Sequence, residues 1–429
     1  MLDIKIIREN PEMVKVNLQR RGDPENLTML QDLIDTDKKW REDLTALNDL
    51  RHDRKICTHE IASLKKAKHD ASGHVEKAKV IDAQITSMEQ EVAQLELRSR
   101  DYLMRIPNLL HETVPFGTGE GDNMEVKHWG IIPELTFPPK SHIDLALGLD
   151  IVDVERAGKV AGARFFYLKG LGVLLDYALI NFAMETLVNR GYTLIEPPYL
   201  MKREPYEGVT SLGDFADVLY KVENEDLYLI ATSEHPIAAM FMNEVLKQEN
   251  LPLRLAGVSA CFRKEAGAHG KDTRGIFRTH QFNKIEQFIF CAPEDSWAMH
   301  EELAGNAEEL FQKLEIPYRI VNVCTGDIGT VAAKKYDVEA WMPAQGKYRE
   351  VISCSNCTDY QARRLGIRYR EKEGAPPKGF LHTLNSTAIA TGRTIVAILE
   401  NYQQEDGSIM IPKVLQKYMG DIKKISIKR

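Results

Sequence analysis

Cys261 to Phe288 reads CFRKEAGAHGKDTRGIFRTHQFNKIEQF: an apolar start, a middle of Gly and charge, and an alternating apolar end. Two strand-like segments flanking such a middle form an antiparallel hairpin, with a loop too long and too charged to be a simple turn. The loop carries Arg263, Glu265, Lys271, Arg274 and Arg278, and Gly267, Gly270 and Gly275 loosen it. This composition suits a polyphosphate or an RNA backbone. Neither GxxxxGK[ST] nor GxGxxG occurs, which argues against a P-loop or Rossmann fold, so a nucleotide has to be held otherwise.

Around the hairpin the pattern is mixed. GVLLDYALINFAMETLVNRGYTLIEPPYL, residues 172–200, reads as a long amphipathic helix closed by Gly191 and then a strand. Proline cannot donate to a sheet ladder, so the Pro197–Pro198 pair ends that strand or puts it on an edge. Further strand-like stretches are LYLIATSEH, RLAGVSACFRK, NKIEQFIF, YRIVNV, YDVEAWMP, YREVISCSN and LHTLNSTAIA. Few βαβ repeats occur among them. The expected fold is α+β, a largely antiparallel sheet flanked by helices, occupying residues 111–429.

Residues 1–110 follow a different rhythm. Ala78, Ile81, Ile85, Met88, Val92, Leu95, Ser99, Tyr102 and Ile106 step by alternating threes and fours, the seam of a coiled coil. Leu30, Leu33, Asp37, Trp40, Leu44 and Leu47 keep the same rhythm, which slips and resumes at Leu50, Arg54, Cys57, Ile61 and Leu64. Ser72 and Gly73 between the two seams supply a turn, giving a long antiparallel helical hairpin. At 1.5 Å per residue, about forty residues per helix make an arm roughly 55–60 Å long, which is expected to project into solvent. Arg51, Arg54, Lys55, Lys65, Lys66 and Lys68 crowd its far end, along with Lys77 and Lys79. A solvated charged face explains such a cluster by itself; the sharper reading is a surface that touches phosphates.

Composition sets the outer bounds. The 429 residues are 43% apolar, enough for a large core, and six cysteines in such a length do not make a disulfide framework. Cys354 and Cys357 form a lone CSNC pair without two further ligands, so no zinc site is expected. No run of some 18 apolar residues stands out as a membrane span, and MLDIKIIREN lacks the apolar core of a secretory signal; a cytoplasmic protein is expected. The net charge of −7 argues against a uniformly basic nucleic-acid binder but leaves room for a local basic patch.

Several ordered segments resemble one family. FRKEAG followed by HQFNKIE is similar to motif 2 of class II aminoacyl-tRNA synthetases, GRTIVAILENYQ to motif 3, and the helix and strand ending at Pro198 to motif 1. Together with TSE, TRGIFRTHQF, CTGD, YREVISCSNCTDYQARR and LNSTAIATGR, behind a long hairpin arm, they resemble the seryl-tRNA synthetases along essentially the whole chain.

The resemblance implies a serine–tRNA ligase that joins L-serine and ATP into seryl-adenylate and passes serine to serine tRNA, with selenocysteine tRNA as a further acceptor. It implies that Arg263 bridges the α-phosphate and the serine carboxylate, that Arg393 reaches the γ-phosphate, that Glu265 reads the adenine amino group and that Phe282 stacks on the ring. Lys264, Val351 and Ile352 accompany these in the ATP site, and Glu350 and Ser353 hold Mg²⁺ and phosphate. Thr232, Ser233, Glu234, Arg263, Glu286 and Thr387 make the serine site, with Glu234 pairing the ammonium and Glu286 accepting the hydroxyl. The arm grips the tRNA through the cations named above, and motif 1 makes a homodimer. Two departures stand out: Lys264 replaces a commonly small polar residue, and LNST replaces the usual LNGS or LNGT. Two rivals keep part of the pattern: a ligase loading a carrier protein would not need the arm, and a dead paralogue would have lost Arg263, Glu350 or Arg393, all of which are present.

Overall fold

The computed structural model describes residues 1–210, 218–265 and 275–426; Gly267, Gly270, Lys271 and Arg274 lie outside the described residues. The chain divides into two units, Met1–Pro107 and Asn108–Arg429.

The first unit consists of helices: α1 (Ile4–Glu9), α2 (Pro11–Gln19), α3 (Pro24–Lys66) and α4 (Ser72–Arg105). Asp23 starts α3 by accepting the Glu25 N–H, with Pro24 at the first helical position, where its missing donor costs nothing. The two long helices pack through the seam: Leu30, Leu33, Leu47 and Cys57 of α3 are buried, as are Ala78, Ile81 and Val92 of α4. Asp37 also lies buried in this seam, held by Arg8 of α1 at 2.7 and 2.9 Å and by Arg41 at 3.1 Å. Burial works to raise its pKa, but these guanidinium groups outweigh it and keep the carboxyl below its usual range.

The turn of the hairpin falls earlier than Ser72–Gly73. Helix α3 ends at Lys66, Lys68 takes a positive φ of 58°, and the Asp70 carboxylate accepts from Ser72 N at 2.9 Å and Ser72 Oγ at 2.8 Å. The local Asp70 cap wins over the glycine as the place to reverse the chain, and Ser72 and Gly73 open α4 instead.

In the second unit, eight strands make one sheet among the described residues: β1 (Met124–Trp129), β2 (Thr193–Ile195), β3 (Leu253–Phe262), β4 (Gln281–Cys291), β5 (Tyr318–Asn322), β6 (Lys334–Met342), β7 (Lys347–Asn356) and β8 (His382–Ala390). Their order is β1-β5-β6-β7-β8-β4-β3-β2. Every neighbouring pair is antiparallel except β2 with β3, so the strand that stops before Pro197 lies on an edge. Cys261 to Phe288 is the β3–β4 hairpin, with Phe262 opposite Gln281.

Helix α5 (Leu171–Val188) corrects the expectation about membrane spans, since its length and mean hydropathy of 1.5 would suit one. Half of it is buried within the protein: Leu175, Leu179, Phe182, Ala183 and Leu187 face the core. LYLIATSEH is not one strand: only Tyr228–Leu229 is extended, and the short helix α6 (Glu234–Ala238) begins at its glutamate. Helix α7 (Ser296–Lys313) packs into the same core as α5, and the short α8 (Tyr360–Leu365) follows β7. Helix α9 (Thr391–Asn401) is buried around nearly its whole circumference, with Ile395, Val396, Ile398 and Leu399 in the core and the polar Thr394 and Glu400 also enclosed.

Candidate active site

The sheet gathers the conspicuous side chains by its period of two. Phe282, Lys284 and Glu286 alternate along one face of β4, and with Arg263 just past β3 they line a cavity of about 540 Å³. Glu350 and Ser353 line the same cavity although three residues apart, which in a regular strand would send them to opposite faces. A bulge resolves this. Val338 pairs with Ile352 and Glu339 with Glu350, so Val351 is an extra residue in β7 and turns Glu350 back to the face of Ser353. The same device recurs in β8, where Thr387 pairs with Glu286 and Ile389 with Ile285; the inserted Ala388 lets Thr387 and Ala390 both reach the cavity.

One end of the cavity holds carboxylates. Glu286, 1% exposed, pairs with Lys284 at 2.7 Å. The Asn385 amide donates to Glu286 Oε1 and to Glu234 Oε2, each at 3.1 Å, and Gln361 donates to Glu234 Oε1 at 3.3 Å. Burial and then the neighbouring charge of Glu286 push Glu234 up to about 7, against the pull of Lys284, Gln361 and Arg263. His235 beside it is pushed down to about 3 by burial and by Lys284 and Arg263, so it stays neutral, its Nδ1 2.8 Å from Tyr206 Oη. Two acidic groups around one amide, half neutralised by one lysine, suit a ligand with both a cation and a hydroxyl.

The other end holds arginines. Arg263 gives its Nε to Ala231 O at 3.1 Å, and its guanidinium carbon lies 5.3 Å from the Phe282 ring centre. Glu265 accepts from Arg278 at 2.9 Å. Arg393, in the first turn of α9, meets the Glu350 carboxylate and carbonyl, both at 3.1 Å. Burial tends to raise Glu350, but Arg393 and Lys335 hold it below the usual carboxylate range, so it is an anion ready for a cation. Arg393 and Arg349 both lie over the Phe277 ring, at 5.2 and 4.2 Å.

Arg263, Glu265, Phe282, Glu234, Glu286, Glu350, Val351, Ser353, Thr387 and Arg393 thus border one space. Four of the sequence candidates do not present side chains to it. Thr232 accepts the Glu234 N–H at 3.2 Å and so shapes the loop. Ser233 packs on Gly257, where an added Cβ would lie 2.5 Å from its hydroxyl. Lys264 turns to Tyr220, 5.8 Å from the ring centre, and Ile352 joins the core. Ser386, in LNST, is buried away from Thr387's side and donates to the Thr387 carbonyl at 3.1 Å. Cys354 and Cys357 are buried free thiols, and no group of three or more His, Cys, Asp or Glu side chains converges on a metal position among the described residues.

Lys284, Asn385, Gln361 and Phe277 were not picked out from sequence. The alternation Phe282-Lys284-Glu286 signals the first; the other three follow only from the fold.

Comparison with known proteins agrees with this geometry. Residues 1–110 match the seryl-tRNA synthetase N-terminal domain, and residues 220–402 the tRNA synthetase class II core domain (G, H, P, S and T). A serine–tRNA ligase of Methanospirillum hungatei is 55% identical over 98% of this chain and 99% of its own length. The seryl-tRNA synthetase of Pyrococcus horikoshii, solved in complex with ATP, superposes with a TM-score of 0.97 at 51% identity, with 100% of both chains covered. The Naegleria fowleri cytoplasmic enzyme, solved with AMP, gives 0.91 at 38% identity over 100% of this chain and 99% of its own. By sequence along its whole length and by fold, the chain belongs to the seryl-tRNA synthetase family and ligates serine to tRNA with ATP.

Proposed function

We propose that the cavity holds serine at its carboxylate end and ATP at its arginine end. The observation that carries this reading is the joining of both ends, Glu234–Asn385–Glu286–Lys284 and Arg263–Phe282–Glu350–Arg393, in one space. Glu234 takes the serine ammonium, and Glu286 accepts its hydroxyl while Thr387 limits bulk. A serine carboxylate oxygen attacks the α-phosphorus and forms a bond to it, the bond from that phosphorus to the bridging oxygen breaks, and diphosphate leaves with the electron pair. No general base is needed, because the nucleophile is already an anion. Charge neutralisation and alignment are what the site supplies. Arg263 is placed to span both reacting groups, Phe282 to stack on the adenine, Glu265 to accept from its amino group, and Arg393 to meet the outer phosphates.

A Mg²⁺ ion fits the donor set. Ionised Glu350 and the Ser353 hydroxyl, both lining the cavity, are the hard oxygens that would hold it. Bound there, the ion supplies charge neutralisation along the polyphosphate.

Two further proposals concern partners. Leu174, Tyr177 and Val188 form an exposed apolar stripe on the outer face of α5, which suits a second copy of the chain in a homodimer. Lys55, Lys65, Lys66 and Lys68 near the hairpin turn are exposed and suit the tRNA backbone, whereas Arg51 and Arg54 pair across the helices with Glu89 and Asp82, both at 2.7 Å. A cytoplasmic location follows from the work on tRNA.

Exchange of labelled diphosphate into ATP, with each amino acid in turn, tests the site assignment. Strong dependence on serine with little response to alanine or threonine is expected, because a polar site rejects alanine, which lacks the hydroxyl, by roughly 10⁴, and threonine's extra methyl meets the bulk limit set by Thr387. Arg263→Ala is expected to slow exchange by about 10² to 10³. Threonine or glycine working as well as serine would remove Glu286 and Thr387 from their roles, and near-normal exchange in the variant would remove Arg263.

A further inference from the structure

We propose that Gln361 is a positioning residue for the reaction, setting the carboxylate of Glu234 for the amine of serine. Gln361 lies on the short helix α8 and is 1% exposed. Its Oε1 accepts from Thr383 Oγ1 at 2.6 Å, while its Nε2 donates to Val209 O at 3.2 Å and Glu234 Oε1 at 3.3 Å. Chemistry fixes this orientation. A flipped amide would set its oxygen against a carbonyl and a carboxylate, two acceptors facing a third. Thr383 is wholly buried on β8, two residues before Asn385. The strand that supplies Asn385 to one oxygen of Glu234 thus also anchors, through Gln361, the donor to the other.

The consequence is geometric and electrostatic. With both oxygens held, the Glu234 carboxylate cannot swing toward Glu286, the nearest like charge, and the anion gains a donor it would otherwise lack in a half-buried place. The charged and titratable groups facing it are Glu286 and Lys284 from β4, Arg263 after β3, and Cys357 just past β7, with neutral His235 beside it. Gln361 touches none of the arginines at the other end, so its influence falls on serine rather than on ATP.

This inference rests on Glu234 taking the serine ammonium, and the experiment separates the two. Gln361→Leu, Gln361→Glu, Thr383→Val and Glu234→Gln are compared by diphosphate exchange for the KM of serine, the KM of ATP and kcat between pH 6 and 8.5, with thermal melting to verify folding. Gln361→Leu is expected to raise the serine KM about tenfold and leave the ATP KM within about twofold. The midpoint of the pH dependence of the serine KM should move to higher pH, which loss of packing alone does not cause. Gln361→Glu, which keeps an acceptor for Thr383 but turns a carboxylate toward Glu234, should raise the serine KM at least as far. Thr383→Val, which only unmoors the amide, should give a smaller rise in the same direction. A folded Gln361→Leu protein with the serine KM and pH midpoint of the parent, or with serine and ATP constants rising in parallel, overturns the proposal; should that variant not fold, Thr383→Val decides by the same criteria. A serine KM unaffected by Glu234→Gln removes the ammonium assignment and this inference with it.

Discussion

Glu234, proposed above to take the serine ammonium, is poised to change charge near pH 7. Burial and then Glu286 push its carboxyl up to about 7, and only the ionised form attracts an ammonium group. The sign follows: as pH falls through 7 the carboxyl gains a proton and loses its attraction, so the serine KM rises. Between pH 8 and pH 6 the ionised fraction of such a group falls about tenfold, and the serine KM is expected to rise by about that factor. A serine KM flat over this interval would show that Glu234 does not hold the amine. At this scale residue type marks Arg263 as one of the hairpin's cations and strand alternation sets out Glu286, whereas Phe282 and the roles of all three rest on the family resemblance. The sequence is silent on Asn385 and Gln361, because a neutral amide acquires its role only when the fold sets carboxylates against it, two for Asn385 and one for Gln361.

Whole elements were easier to read than their irregularities. The seams of α3 and α4 follow from apolar spacing, and the β3–β4 hairpin from its flanking alternation. The bulges at Val351 and Ala388 leave no such trace, since an inserted residue resembles any other until the partner strand sets the register. TSEH shows the same limit. Its apolar approach continues a strand pattern, and the helix that begins at Glu234 depends on packing against the sheet behind it. The hairpin carries a prediction of its own. Reversing Lys65, Lys66 and Lys68 to glutamate alters only exposed side chains of the first unit, two in the last turn of α3 and one just past it, so serine-dependent exchange should be unchanged. The KM for tRNA in aminoacylation should rise about tenfold or more, and tRNA binding should show a salt slope shallower by about one for each phosphate that a lysine no longer neutralises. Unaltered charging would mean that these lysines do not meet the tRNA.

Across the whole molecule, the class of fold was legible because antiparallel sheets connect neighbours in sequence, and the chain shows strand after strand with few intervening helices. The role of α5 was harder, since one apolar helix serves both the core, through Leu179 and Phe182, and an outward stripe through Tyr177. If a second copy covers that stripe, Tyr177→Asp should shift the protein from dimer to monomer in sedimentation, with loss of exchange activity following dissociation. A parent protein that already sediments as a monomer would leave the stripe without this partner. The sheet order has one more consequence, in time instead of space. Packing of α3 on α4 joins residues close along the chain, whereas the cavity waits for β7, β8 and α9 to be laid beside β3 and β4. On a chain emerging from the ribosome the hairpin can close long before Arg393 has been added, so the surface proposed to grip tRNA exists on the nascent protein while the chemistry it serves does not.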